Sequence, residues 1–296
     1  MRFDQTYIAI RTRGILEIMD LSLHVIRDHF RPLSLLWLCG VLPFALANWY
    51  ATRWMTTDYF EFEYLTLYFF TVSFLVINQA QVATTFMTTY LGQAMFSQKP
   101  SVWEAIKQTL KVNPWFIWFH GFYRCAILVY ATVLMMGENM KGDTFGLVYT
   151  LFVILVLIGL LVRLFRPFAS EILLLERTPV RAKQQDKITY KIRSSGLHGT
   201  VDSDLTGRFA MLTLFAFLLA GSFMGSMMLV DSWLNLHAAD TSIPALIYLP
   251  IALWMVAGVY AVVRFLSYID IRIRQEGWEV ELRMKSESMR IQKAAN

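Results

Sequence analysis

The stretch IPALIYLPIALWMVAGVYAVV, residues 243–263, is long and apolar enough to cross a lipid bilayer as an α-helix. It continues without a break into RFLSYIDIRIRQEGWE, residues 264–279, where charged and apolar side chains alternate closely. A membrane-spanning helix fused to a dense charged segment indicates where the hydrocarbon ends and the aqueous phase begins. The stretch therefore predicts an integral membrane protein, and the rest of the chain repeats its pattern.

The composition of the whole chain is typical of a membrane protein. Apolar residues make up 56% of the 296 residues and charged residues only 17%, whereas soluble domains carry about a quarter charged residues. The lipid bilayer is thus the first partner that the sequence predicts. The net charge of +5 could suggest nucleic-acid binding, but no nucleic-acid-binding motif accompanies it, and membrane orientation explains the basic excess. We therefore expect no nucleic acid among the partners.

Apolar runs recur along the chain at the length of a membrane span. We predict an all-α fold, a polytopic membrane helical bundle formed by one integral membrane domain over residues 1–296. The run at 64–91 exceeds the about 20 residues that the hydrocarbon requires, so this helix must tilt or protrude. The six predicted transmembrane helices cover residues 33–50, 64–91, 115–136, 145–162, 209–230 and 243–263.

Amphipathic segments precede the first and third spans. In residues 1–31, apolar side chains recur at helical spacing among arginines. This pattern predicts an amphipathic helix, either lying on the membrane surface or packed on the bundle. In residues 92–113, Ser101 with Glu104 three positions later is typical of a helix start. We expect this second surface helix to end at Pro114.

The distribution of positive charge predicts how the chain is threaded. Six spans place the 27 Lys and Arg residues on one side, except Arg53 and Lys141 on the other side and Arg124 inside the third span. By the positive-inside rule, the basic side faces the cytoplasm. We predict a multi-pass protein of the cell (inner) membrane with both termini cytoplasmic. The cytoplasmic segments are residues 1–31, 92–113, 163–207 and 264–296.

The third span carries a charge, Arg124, and a charge at mid-bilayer costs about 2.5–3.5 kcal/mol on insertion scales. His120 precedes it by one helical turn, and the second span contributes the amides Asn78, Gln79 and Gln81. One interpretation is an intramembrane polar site for an anion or a lipid headgroup. The other is a structural arginine that those amides and backbone carbonyls satisfy. A polar cavity reaching Arg124 favours the first interpretation, and a sealed Arg124 favours the second.

No pattern in the sequence predicts catalysis, a metal or a cofactor. Glu171 and Glu176 follow the fourth span, and we interpret them as ion-pair partners rather than acid–base catalysts. The histidines are scattered without metal-ligand spacing. Cys39 and Cys125 lie in separate apolar runs and give neither a disulfide framework nor a zinc spacing. The expected ion-pair partners of the two glutamates are Arg163, Arg166 and Arg177.

The segment after the sixth span is a candidate docking surface. Opposite charges stand four residues apart, as in Asp270 and Arg274, a spacing that supports a helix. Apolar residues also alternate with charge over residues 269–284, which fits a β-hairpin around Gly277; we favour the helix because the preceding span is helical. The segment either docks a cytoplasmic protein or another part of this chain, or only fixes the depth of the span. The docking residues are Asp270, Arg272, Arg274, Glu276 and Trp278.

The motif YIDIRIRQEGW, residues 268–278, resembles the Tyr-x-Asp-x-Arg-x-Arg-x-Glu-Gly ending of a family of bacterial six-span membrane proteins. That family is similar to the membrane domain attached to some glycerophosphodiester phosphodiesterases, and residues 171–177 fit the same pattern. The resemblance implies an integral bacterial membrane protein. It implies no catalysis, because the phosphodiesterase chemistry resides in a separate soluble domain, so no catalytic residue is carried over.

These observations lead to two hypotheses about function. The first is a non-catalytic integral membrane protein that scaffolds or anchors a membrane or cytoplasmic partner. The alternative is a transporter or lipid-handling membrane protein with a polar site around Arg124. An intramembrane enzyme is the least favoured class, because no catalytic pattern accompanies the polar residues.

Overall fold

Helices form every regular element in the part of the chain that the structure describes, so the predicted all-α bundle is confirmed. The computed structural model describes residues 14–57, 62–96, 100–123, 125–138, 142–176, 189–199, 202–235 and 244–276. The helices are α1 Ile15–Asp28, α2 Phe30–Thr52, α3 Trp54–Thr57, α4 Phe62–Ala83, α5 Thr85–Phe96, α6 Val102–Tyr123, α7 Ala126–Glu138, α8 Phe145–Phe165, α9 Ala169–Leu175, α10 Tyr190–Gly199, α11 Asp202–Asn235 and α12 Leu249–Glu276, the last preceded by a π-helical turn, Pro244–Tyr248.

Five helical stretches within the described ranges are long and apolar enough to cross a membrane. They coincide with the first, second, fourth, fifth and sixth predicted spans. A bent pair of helices, Phe116–Phe122 and Ala126–Glu138, raises the number to six if it counts as one span. The chain is therefore a multi-pass membrane protein. The five stretches are Phe30–Thr52, Leu65–Met95, Phe145–Phe165, Gly207–Leu234 and Leu246–Gln275.

The third predicted span, residues 115–136, is not a single straight helix. α6 runs from Val102 through Pro114 to Tyr123, so the prediction that a helix ends at Pro114 is wrong. Proline removes one hydrogen-bond donor, but the remaining bonds of a long helix hold it together. The break comes at Cys125, whose φ of 58° is left-handed. Beyond this residue α7 departs at an angle of 63°.

The second span is interrupted once, by a turn at Thr84 between α4 and α5. The Thr84 hydroxyl donates to the carbonyl of Ala80 at 2.7 Å, and the Thr88 hydroxyl donates to the carbonyl of Thr84 at 3.2 Å. The whole stretch covers 31 residues, more than the about 20 that a bilayer requires. Its surplus turns in α5 pack against α6, α9 and α12.

Both segments in which the sequence predicts an amphipathic helix are helical. α1 packs against α12 through one face, where Ile18, Ser22 and Val25 are buried. Its opposite face leaves Leu16 and Leu23 exposed by 76% and 60%. Of the two arrangements predicted for this helix, packing on the bundle is the one observed. The second helix starts as predicted, since the Ser101 hydroxyl accepts a hydrogen bond from the Glu104 amide at 3.4 Å.

α12 is the axis of the bundle. It packs against α1, α2, α4, α5, α10 and α11, and 56% of its membrane window is buried, against 6% for α11. Close approach is permitted at Gly258, where an added Cβ would lie 2.9 Å from the Trp37 ring. The Trp37 indole N–H then donates to the Trp254 carbonyl at 2.9 Å. α12, which contains most of the apolar stretch at residues 243–263, is thus the element around which the other spans assemble.

Candidate functional site

Asn78, one of the amides predicted to line an intramembrane site, binds Arg163 of α8. Its Oδ1 accepts a hydrogen bond from Nη1 of Arg163 at 2.7 Å, and its carbonyl oxygen accepts one from Nη2 at 2.6 Å. Its Nδ2 donates to the carbonyl of Phe74 at 2.9 Å. Arg124 lies outside the described residues, so its contribution to a polar site stays a prediction. In the described chain, the arginine beside Asn78 comes from the fourth span.

The other predicted polar residues have separate neighbours. The Nε2 of Gln79 donates to Oδ1 of Asn48 at 2.8 Å, which ties α4 to α2. His120 is buried in α6, where its Nδ1 lies 3.2 Å from the carbonyl oxygen of Phe116 and its ring stacks on the Phe116 ring. Gln81 lines a crevice between four helices. Within the described part of the chain, Gln79 and His120 thus have different hydrogen-bond partners, and Gln81 lines the crevice.

This crevice has a volume of about 520 Å³ and lies between α4, α8, α11 and α12. Sites for small ligands fall at about 300–1,000 Å³. Leu157, Leu161 and Phe217 line the crevice and remain 51–55% exposed, which places its mouth between α8 and α11. Both helices are membrane spans, so the mouth faces the hydrocarbon. Leu253 and Val256 of α12 are buried and form the inner wall.

One end of the crevice is polar, with Gln81, Arg163, Tyr260 and Arg264 in its wall. Gln81 and Arg163 each stand two residues before the end of their helices, α4 and α8. Arg264 follows Tyr260 by one turn on α12. Three spans thus place polar groups at the same end of the bundle, which we call the basic end. Among the described residues that line the crevice, two carry a charged side chain, and both are arginines.

Arg264 is buried against a carboxylate of α9. Its Nε donates to Oε1 of Glu171 at 2.6 Å, and the two side chains are only 2% and 0% exposed. The Ser170 hydroxyl donates to the other oxygen of this carboxylate at 3.0 Å. The chain turns at Pro167 and re-enters the bundle as α9, which is how an acid reaches this depth. Breaking a buried pair by removing one partner costs about 3–5 kcal/mol.

Among the polar atoms of the crevice residues that have no hydrogen-bond partner within the described chain, two belong to Arg264 and Gln81. They are Nη2 of Arg264 and Oε1 of Gln81, and these residues are 2% and 6% exposed. A buried polar atom without a partner costs about 1–3 kcal/mol. A ligand with an anionic oxygen would satisfy the arginine, and a ligand with an O–H or N–H group would satisfy the amide oxygen.

A second carboxylate, Glu176, ties three helices together at the basic end. Arg193 of α10 donates to it twice, from Nε to Oε2 at 2.6 Å and from Nη2 to Oε1 at 2.9 Å. Tyr268 of α12 donates to Oε1 at 2.5 Å, and Nε of Arg272 lies 3.6 Å from that oxygen. The glutamates after the fourth span do form ion pairs, and the partners described come from α10 and α12. Arg177, one of the expected partners, lies outside the described residues.

The predicted docking residues are part of α12, which stays helical through Glu276. Asp270 is 2% exposed and pairs with Arg274 at 2.9 Å and with Arg208 of α11 at 3.8 Å. The ion pairs of this segment thus join parts of the same chain. Trp278 and the rest of residues 277–284 lie outside the described residues, as does the Glu276 side chain. Docking of a separate protein at this segment stays a prediction.

Sequence reasoning did not single out Arg264 and Arg163 as site residues. Both directly follow apolar runs, so the sequence predicts that they are the first residues in the aqueous phase after a span. The signal that could have found them is their shared setting, LVRLF at residues 161–165 and VVRFL at residues 262–266. An arginine still flanked by apolar residues on both sides is a candidate for burial.

The site offers hydrogen-bonding and ionic groups rather than metal ligands. No group of three or more His, Cys, Asp or Glu residues is placed to hold a metal ion in the ranges that the structure covers. The arrangement is chemically suited to holding an amphiphile, with an apolar part in the crevice and a polar part at its arginine end. Comparison with protein-family models, curated proteins and solved structures gives no match to this chain.

Proposed function

We propose that this protein is a non-catalytic, lipid-handling membrane protein that binds a membrane lipid in the crevice between α4, α8, α11 and α12. The main support for the proposal is that one cavity of about 520 Å³ combines an opening toward the bilayer with a polar end. Its mouth opens between two membrane spans, and its polar end contains the buried Arg264. An apolar chain entering sideways from the bilayer satisfies the first feature, and a headgroup satisfies the second.

A lipid fits this crevice better than a polar solute does. The wall is apolar along α11 and α12, where Ala216, Ala220 and Leu253 face it. A polar solute would lose its hydration there without gaining hydrogen bonds, which is costly. The predicted polar site around Arg124 is therefore replaced in this proposal by a site at Gln81 and Arg264.

Retention of lipid by the purified protein tests the proposal. Ala216→Phe places a ring in the crevice, and we expect native mass spectrometry from nanodiscs to show loss of the bound lipid. Val230→Phe is the matched control, because Val230 lies on the same helix, is 57% exposed and does not line the crevice. Equal lipid retention by the two variants, with equal melting temperatures, would contradict lipid binding in the crevice.

The proposed location is the inner membrane of a bacterium, with the basic end and both termini in the cytoplasm. The support is the charge asymmetry of the sequence, read by the positive-inside rule. Fusion of green fluorescent protein or alkaline phosphatase after Asn296 tests the orientation. Fluorescence without phosphatase activity is expected, and the reverse result would invert the topology.

A scaffold or anchor role is the second candidate, supported by the ion pairs of the basic end. Glu176 and Asp270 hold the C-terminal turns of α12 against α9, α10 and α11, so whatever follows Glu276 leaves from a fixed point. A photo-crosslinking amino acid in place of Trp278 tests this role in cells. A discrete cross-linked protein is expected there and not from the same group at Trp233, which is 84% exposed on a membrane span; identical products at both positions would reject docking.

A further inference from the structure

We infer that the crevice selects an anionic phospholipid whose headgroup also carries a hydroxyl, taken from the leaflet at the basic end. This inference rests on the proposed lipid binding and adds the headgroup class, the leaflet and the residues that read them. The residues that select the headgroup are Arg264, Arg163 and Gln81.

The depth of the crevice identifies the leaflet. Its wall on α12 extends from Leu253 to Arg264, which at a rise of 1.5 Å per residue is about 16 Å along the helix axis. The wall on α11 runs from Phe209 to Ala220, about the same distance. Half of the roughly 30 Å hydrocarbon core is one leaflet. A lipid with its headgroup at Arg264 and one acyl chain toward Leu253 therefore occupies a single leaflet.

The charge of the headgroup follows from the arginines. Nε of Arg264 is used by Glu171, but Nη2 has no hydrogen-bond partner in the described chain although the side chain is 2% exposed. A phosphate oxygen is the acceptor that guanidinium groups bind most strongly. Arg163 contributes a second positive charge to the same wall. A zwitterionic headgroup would bring its cation toward these arginines, which disfavours it.

The hydroxyl follows from Gln81. Its Oε1 is a buried acceptor without a partner in the described chain, and a phosphate diester offers it only more acceptors. A headgroup with an O–H group donates to this oxygen while its phosphate accepts from Arg264. Satisfying both groups removes two separate penalties of buried polar atoms.

Four lipids separate these requirements. In nanodiscs, all four lipids carry the phosphate; phosphatidylglycerol adds net negative charge and a hydroxyl, and phosphatidylmethanol adds net negative charge alone. Phosphatidylethanolamine has an N–H donor without net charge, and phosphatidylcholine has neither a donor nor net charge. Competition for the protein, measured by native mass spectrometry, should favour phosphatidylglycerol about fivefold over phosphatidylmethanol, as expected for one neutral hydrogen bond. It should favour phosphatidylglycerol about tenfold over phosphatidylcholine, which lacks that hydrogen bond and also brings a cation toward the arginines.

Two variants assign the residues. Gln81→Leu should abolish the preference for phosphatidylglycerol over phosphatidylmethanol and lower the preference over phosphatidylcholine to about twofold, because only one neutral hydrogen bond is lost. The double variant Glu171→Leu/Arg264→Met removes the buried pair without leaving a lone charge, and it should bring phosphatidylmethanol and phosphatidylcholine, which differ in net charge but both lack the hydroxyl, close to parity. Melting temperatures in detergent identify any variant that is not folded. If the double variant is not folded, Arg163→Gln replaces it and should at least halve the preference for phosphatidylglycerol over phosphatidylcholine.

The outcomes distinguish the inference from the proposed function. If wild type retains all four lipids equally and Ala216→Phe still expels them, the crevice binds lipid without reading headgroups, and the inference fails alone. If Ala216→Phe changes nothing, the proposed function fails with it. Displacement of phosphatidylglycerol by soluble glycerol phosphate at equal concentration would assign the site to a free anion and overturn the lipid source.

Discussion

Arg163 of α8 donates two hydrogen bonds to Asn78 of α4, one to the side-chain oxygen at 2.7 Å and one to the backbone carbonyl oxygen at 2.6 Å. The second bond uses a carbonyl that belongs to the helix backbone of α4. A guanidinium group donates in a fixed plane, so the pair fixes the rotation of both helices as well as their distance. The second and fourth spans are thereby held together at the polar end of the crevice.

Loss of the Asn78 amide should weaken this junction. We expect Asn78→Leu to lower the free energy of unfolding by about 2 kcal/mol, because a hydrogen bond to a charged group is lost while the carbonyl bond remains. Unfolding in mixed micelles with increasing dodecyl sulfate measures the change.

A double-mutant cycle with Arg163→Leu is the control for this pair. The effects of Asn78→Leu and Arg163→Leu should be clearly non-additive, since each change removes the same contact. Additive effects would show that the two residues stabilise the bundle independently.

The Glu171–Arg264 pair predicts an asymmetry between single and double substitutions. Glu171→Gln leaves a buried arginine without its counter-charge and should cost about 3–5 kcal/mol of folding stability. Glu171→Leu combined with Arg264→Met should recover most of this loss, since both charges leave together. The same unfolding titration measures both variants.

Asp20→Asn is the control for charge alone, because the Asp20 side chain is 75% exposed and contacts only an exposed histidine among the contacts described. It should leave the unfolding midpoint unchanged. If Glu171→Leu/Arg264→Met is less stable than Glu171→Gln, the attraction within the ion pair exceeds the free energy lost by burying its two charges.

Helix contact at Gly40 gives a steric prediction. A Cβ added there would lie 1.9 Å from the carbonyl oxygen of Ala83, which belongs to backbone and cannot rotate away. Gly40→Ala should therefore force α2 and α4 apart and cost about 1–3 kcal/mol. Gly221→Ala, on α11 with open space around it, should be neutral or stabilising by up to about 1 kcal/mol. Thermal unfolding that ranks Gly221→Ala below Gly40→Ala would contradict this packing.

The left-handed backbone at Cys125 gives a prediction about the break between α6 and α7. With φ at 58°, a β-branched residue is strongly disfavoured there and glycine is favoured. Taking Cys125→Ala as reference, Cys125→Gly should melt higher and Cys125→Val lower, with a spread of about 2 kcal/mol. The reverse order in differential scanning fluorimetry would show a right-handed backbone at this position.

The fold was largely predictable because each span is a local apolar run. The predicted span 33–50 lies inside α2, and 145–162 lies inside α8, since hydrocarbon forces such runs to become helices. The predicted helix end at Pro114 was wrong because a proline is only a local signal, and the hydrogen bonds on both sides of it keep α6 continuous. The break at Cys125 has no marker in the sequence, because cysteine does not favour a left-handed conformation.

The candidate site was less predictable because it depends on contacts between distant residues. Asn78 and Gln81 were identified from their polarity inside an apolar span, and that signal is local. Arg264 takes its partner from Glu171, 93 positions earlier in the chain, and nothing in either neighbourhood indicates the match. Only the turn at Pro167, which brings α9 back into the bundle, makes the pairing geometrically accessible.

The long separation between Glu171 and Arg264 has a consequence for biogenesis. A ribosome delivers the carboxylate of α9 long before the guanidinium that neutralises it, since the two residues are 93 positions apart in the chain. Until α12 integrates, the nascent protein holds the Glu171 carboxylate without the arginine that pairs with it. Integration of α12 is then the step that completes the Glu171–Arg264 pair, and an incomplete fold that exposes its unpaired surfaces is prone to misassembly until that step.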